Sequence, residues 1–117
     1  MHLKKYQKNI KKKIIVTHCY KDLAKASHIV LPGVGSFESC ISGLKKSSLI
    51  NELEHRVITL KIPFLGVCVG MQMLANIGYE KGVHEGLGWI KGSVKRIKTN
   101  NTRLKIPHMG WNELKIN

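Results

Sequence analysis

The sequence predicts an α/β fold, a doubly wound and mostly parallel sheet forming one domain over residues 1–117. Three observations carry that prediction. Short β-branched or apolar runs at 14–17, 28–31 and 64–67 alternate with segments of helical periodicity. The run Phe64-Leu65-Gly66-Val67 is apolar on both faces, as a central parallel strand requires. A chain of 117 residues supports one hydrophobic core and is too short for two.

The elements follow in order. Leu3, Tyr6 and Ile10 stand at helical spacing among lysines and read as an amphipathic helix. Ile14-Ile15-Val16-Thr17 reads as a strand, and Lys21–Ser27 as a short polar segment of one or two turns. His28-Ile29-Val30-Leu31 is a second strand, stopped by Pro32-Gly33. A helix is expected over Phe37–Leu44 and another from Ser47 or Ser48 to about Leu60. In the latter, Leu49, Leu53, Val57 and Leu60 form one core-facing stripe. Phe64–Val67 is the third strand, and Val69–Asn76 reads as the helix after it, ending near Gly78. From about Leu87 the chain reads as a short β extension, with strands at 86–90, 93–97 and 111–116 and a turn at Asn100-Asn101.

Composition narrows the function. The net charge is +13, but only Arg56, Arg96 and Arg103 of the 20 basic residues are arginine. Arginine makes the forked phosphate and base contacts, and few aromatics are present for base stacking. A lysine-rich solvated surface is therefore expected rather than a nucleic-acid interface. A local basic patch remains at Lys4, Lys5, Lys8, Lys11, Lys12 and Lys13, suited to an acidic partner or an anionic substrate. No apolar run approaches the roughly 18 residues of a membrane span. Three cysteines at 19, 40 and 68, with no C-x-x-C, suggest neither a disulfide framework nor a zinc site, and fit a reducing cytoplasm. No metal or other cofactor is indicated.

The chemistry concentrates at Cys68. It stands in Gly66-Val67-Cys68-Val69-Gly70, where a buried strand runs straight into a helix. This is a nucleophile elbow with cysteine in place of serine. Glycine on both flanks permits close approach of strand and helix, and the helix N-terminus favours a thiolate. Attack on an amide carbonyl creates an oxyanion, toward which the Val69 N–H would point. The loop Pro32-Gly33-Val34-Gly35 ends a neighbouring strand at the same sheet edge and is suited to supply a second donor. An isolated cysteine among apolar residues is most often a small buried hydrophobe. Here the strand, the helix and the glycine loop converge on one mechanism.

The segment Pro63–Gln72 resembles the nucleophile motif of class I (triad-type) glutamine amidotransferases, a flavodoxin-like fold. Val30-Leu31-Pro32-Gly33-Val34-Gly35-Ser36-Phe37 resembles the oxyanion strand of the glutaminase subunit of imidazole glycerol phosphate synthase. Gly86–Gly92 and Ile106-Pro107-His108-Met109-Gly110-Trp111-Asn112 resemble later segments of that subunit. The resemblance implies that Cys68 attacks the side-chain amide of L-glutamine, giving a glutamyl thioester and then glutamate. The ammonia would pass to a (β/α)8-barrel cyclase subunit in histidine biosynthesis. It implies an oxyanion loop of Gly33, Val34 and Gly35 with Val69. Gln72 would contact the glutamine, and Glu80 would hold its amino group. Met109, Trp111 and Asn112 would face the synthase.

The sequence departs from that pattern twice. The family's first strand, with its Asp-Tyr-Gly-like turn, is not found, and none of the six histidines opens the catalytic His-x-Glu. The chain thus reads as an incomplete domain, truncated at both ends, and no general base is assigned. Three rival readings follow. One is an inactive fragment that retains synthase binding. Another is a paralogue serving a surface-polysaccharide sugar synthase. The last is a basic nucleic-acid-binding domain.

Overall fold

The computed structural model describes residues 13–100, 103, 105–113 and 115–116. The helix expected around Leu3, Tyr6 and Ile10 lies outside them. Helix α1 spans Tyr20–Leu23, and strand β1 spans Ile29–Gly33. Helix α2 covers Phe37–Lys46, two residues longer than its apolar pattern indicated. Helix α3, Ile50–Glu54, continues into a wider π-turn over His55–Thr59. Strand β2 is Phe64–Cys68, and helix α4 is the single turn Val69–Gln72. Strands β3, β4 and β5 are Ala75–Gly78, His84–Glu85 and Ile90–Val94.

The expected parallel pairing is present. β1 and β2 run parallel, from Ile29 opposite Phe64 to Gly33 opposite Cys68, joined by the crossover that contains α2 and α3. A second sheet has the order β4-β3-β5, antiparallel between β3 and β4 and parallel between β3 and β5.

Several sequence expectations are corrected. Residues 14–17 form no strand; Ile15 and Val16 are exposed, and among the described residues β1 has β2 as its partner. The helix from Val69 stops at Gln72 because residues 75–78 are taken into a ladder. Ile77 and Gly78 pair with Glu85 and His84 on one side and with Ser93 and Val94 on the other. The β extension therefore begins at Ala75 rather than near Leu87, and its central strand is one the helical reading had absorbed. Residues 111–113 carry no strand. The stripe along α3 holds through Leu53, which is buried, and Val57, which is half-buried. It fails at Leu60, which is exposed. The π-turn, closed by the Leu60 N–H on the His55 carbonyl, carries that residue round and off the stripe. Ser47 does accept the Leu49 N–H, though its hydroxyl also donates to the Leu44 carbonyl and so closes the preceding helix.

The core lies beneath the β2–α4 junction. Phe37 and Ile41 from α2 meet Val69 and Met73, with Leu31, Cys40, Leu44, Leu87 and Val94 around them. α2 enters this core because its apolar residues recur at helical spacing. Ser36 fixes its start by accepting the Ser39 N–H at 3.2 Å.

Candidate active site

β2 delivers Cys68 at its carboxyl end, and α4 begins at the next residue. Between them Cys68 holds φ 56° and ψ −124°. A non-glycine residue occupies such a region at a cost of about 1–3 kcal/mol. This is the strained turn of a nucleophile elbow, and it leaves the Cys68 thiol free and exposed.

Two glycines make the turn possible. Gly33 lies opposite Cys68 across the β1–β2 pair. A Cβ on Gly33 would fall 2.5 Å from the Gly70 nitrogen and 2.9 Å from the Val69 carbonyl carbon. A Cβ on Gly70 would overlap the Leu31 carbonyl oxygen. The end of β1 and the elbow are thus packed backbone against backbone, an approach only glycine permits.

Val34 and Gly35 lie in the loop between β1 and α2, directly after Gly33. Gly35 adopts φ 118°. Val34 is exposed, and its carbonyl accepts the Cys40 thiol at 3.4 Å. Val69 is buried. As the first residue of α4, its N–H lies outside that helix's own ladder. Gln72, half-buried, closes the same turn four residues after Cys68. A thiol beside a helix start and a glycine-rich loop is an arrangement suited to attack on an amide carbonyl, provided backbone N–H groups meet the resulting oxyanion.

Glu80, expected from the sequence to hold the substrate's amino group, reaches the start of α2. Its Oε2 accepts the N–H of Phe37, the first residue of α2, at 2.7 Å. Its backbone carbonyl lies 3.1 Å from His84 Nε2. Met109 and Trp111 are fully open to solvent in a stretch without regular structure, and Asn112 Nδ2 lies 2.9 Å from His108 Nε2. Among the described residues no group of three His, Cys, Asp or Glu is placed to hold a metal ion, and no helix is long and apolar enough to cross a membrane. Sequence reasoning missed both the Cys40 and the Phe37–Glu80 contacts. The first had a faint signal, since Cys40 sits one turn into the helix that follows the loop. The second had none, because 43 residues separate its partners.

Comparison with known proteins agrees with this geometry. The family model "Glutamine amidotransferase class-I" matches residues 2–115. The chain is 48% identical over 102 residues to imidazole glycerol phosphate synthase subunit HisH of Zymomonas mobilis subsp. mobilis, covering 86% of this chain and 48% of that protein. It is 51% identical over 96 residues to subunit HisH 1 of Campylobacter jejuni subsp. jejuni, covering 82% and 47%. The HisH of Pelagibacter ubique is 44% identical over 104 residues, covering 88% and 50%. The chain spans about half the length of the curated relatives it matches. The strand–elbow–helix around Cys68, the glycine loop facing it and these matches agree: the chain belongs to the class-I glutamine amidotransferase family.

Proposed function

We propose that this chain carries the nucleophile of a glutaminase subunit of imidazole glycerol phosphate synthase. The observation that carries the reading is Cys68 at φ 56°, presented at the end of β2 with Gly33 opposite it. The names of the relatives supply the pathway. In this reading the Cys68 sulfur bonds to the side-chain carbonyl carbon of L-glutamine. The charge passes to the carbonyl oxygen, where the Val69 N–H and the Gly33–Gly35 loop receive it. Collapse breaks the carbon–nitrogen bond, the leaving nitrogen takes up the proton that the thiol gave up and departs as ammonia, and water cleaves the thioester to glutamate and the free thiol. Gln72 contacts the bound glutamine. No general base is assigned to these residues, since none of the histidines opens a His-x-Glu.

The ammonia would be consumed by a cyclase partner, a (β/α)8-barrel, in a cytoplasmic heterodimer. Met109, Trp111 and Asn112 are all exposed, and enrichment of Trp and Met at interfaces supports a surface for that partner. The same observation favours a second reading, a synthase-binding module without turnover.

A chloroketone analogue of glutamine tests the nucleophile. Saturable labelling of Cys68, blocked by L-glutamine and lost in Cys68→Ala, is the expected result. Equal, glutamine-insensitive labelling of Cys19, Cys40 and Cys68 would overturn the reading.

A further inference from the structure

We infer that Glu80 is a positioning residue for the oxyanion loop, acting through the Phe37 N–H; this deepens, and rests on, the glutaminase reading above. The contacts form a short chain. The Glu80 carboxylate accepts the first N–H of α2 at 2.7 Å. That N–H is one of the donors a helix start leaves unsatisfied, and a carboxylate there also meets the positive end of the helix. Phe37 follows Ser36 directly, and Ser36 ends the Gly33–Gly35 loop. The same helix grips the loop further back, where Cys40 donates to the Val34 carbonyl. The first turn of α2 and the loop therefore move together.

The other end of the strut is anchored. Phe37 is 1% exposed, and a Cβ on Gly78 would come within 2.7 Å of three of its ring carbons. His84 stands with its ring 6.5 Å from that of Phe37 and its Nε2 on the Glu80 carbonyl. The segment 78–84 thus presents a fixed carboxylate to the start of α2. Because Gly33 is opposite Cys68, a shift of α2 would alter where the loop N–H groups stand relative to the sulfur. A carboxylate has two acceptor oxygens. One serves Phe37, and the second is left for the substrate ammonium, so a single side chain links amino-group recognition to the oxyanion donors.

Glu80→Gln and Glu80→Ala separate these roles. Gln keeps a neutral acceptor for the Phe37 N–H and loses the charge; Ala loses both. Amide hydrogen exchange on the chain should show Phe37 exchanging roughly tenfold faster or more in Glu80→Ala, and close to the unsubstituted rate in Glu80→Gln. With the chloroketone, Glu80→Ala should lower the limiting rate of Cys68 labelling roughly tenfold. Glu80→Gln should hold that rate within about twofold while raising the half-saturating concentration. Should Glu80→Ala not fold, Glu80→Asp, one methylene short of the helix, gives the same comparison. Unchanged Phe37 exchange on removing the carboxylate, or Gln behaving as Ala in both measurements, overturns the inference. Failure of the glutaminase reading looks different. Cys68 of the unsubstituted chain would then show no saturable labelling, while Phe37 exchange still reports the strut.

Discussion

Gly33→Ala tests whether the elbow depends on backbone contact. The added Cβ would stand 2.5 Å from the Gly70 nitrogen, about 0.9 Å inside the 3.4 Å at which ordinary contact begins, and 2.9 Å from two atoms of Val69. Most of these neighbours are backbone and cannot rotate aside. β1 must part from α4, or the Gly33–Cys68 register must slip. Overpacking costs about 1–3 kcal/mol, and rigid neighbours place this case near 3 kcal/mol. With a urea slope of about 1–3 kcal/mol per M, the unfolding midpoint should fall by about 1–3 M. Gly43→Ala is the control. It sits on the exposed side of α2, and a Cβ there would meet nothing within 4 Å, so the same substitution should raise stability by about 0.5–1 kcal/mol. Chloroketone labelling of Cys68 should slow in Gly33→Ala and stay unchanged in Gly43→Ala. Equal midpoints for the two variants, or unaltered labelling in Gly33→Ala, would refute the argument that this contact shapes the site.

Substitutions at three other positions probe separate parts of the molecule. Cys68→Gly should be more stable than Cys68→Ala by up to about 2 kcal/mol in chemical denaturation, since glycine removes the strain at φ 56° at a smaller entropic cost. Phe37→Ala should cost about 3–5 kcal/mol, because its ring is the most deeply buried in the core, and a thermal melt reads the loss. Trp111→Ala should leave stability within about 0.5 kcal/mol, as its side chain lies in solvent. It should weaken binding to the barrel synthase by about 2 kcal/mol or more in calorimetry if Trp111 anchors that contact.

The parts of this molecule legible in its sequence are those that backbone geometry imposes. Gly66 and Gly70 around Cys68, and Pro32-Gly33 at the end of β1, are residue types that a tight strand–helix corner demands, so the elbow and its facing loop could be read directly. α2 was legible because Phe37, Ile41 and Leu44 keep helical spacing. The segment 75–78 was not, because Ala75-Asn76-Ile77-Gly78 has no strong propensity of its own. Its strand comes from pairing with residues up to sixteen positions away, from Ile77 opposite Ser93. Ile14–Thr17 shows the converse, a run of strand-forming residues that takes up no strand. The π-turn at His55–Thr59 left no periodic trace beyond the stripe's failure at Leu60.

The elbow at Cys68 and the core form one structural unit. The conformation of Cys68 carries a cost of about 1–3 kcal/mol, so something adjacent must hold it. Val69 and Met73, the first and fifth residues after it, are 7% and 2% exposed and pack on Phe37 and Ile41. Burying side chains of that size contributes about 1.5–3 kcal/mol each, enough to offset the strain. On the strand side, the register from Ile29 to Gly33 holds β2 until Cys68 itself. The elbow is therefore over-determined from both directions, and Phe37 belongs to both descriptions. Its ring closes the core beneath α4, while its N–H takes the Glu80 carboxylate beside the loop. A change that loosens the core at Phe37 should then disturb the reactive edge as well. A side chain with no contact to substrate would thus affect the chemistry by the same contacts through which it stabilises the fold.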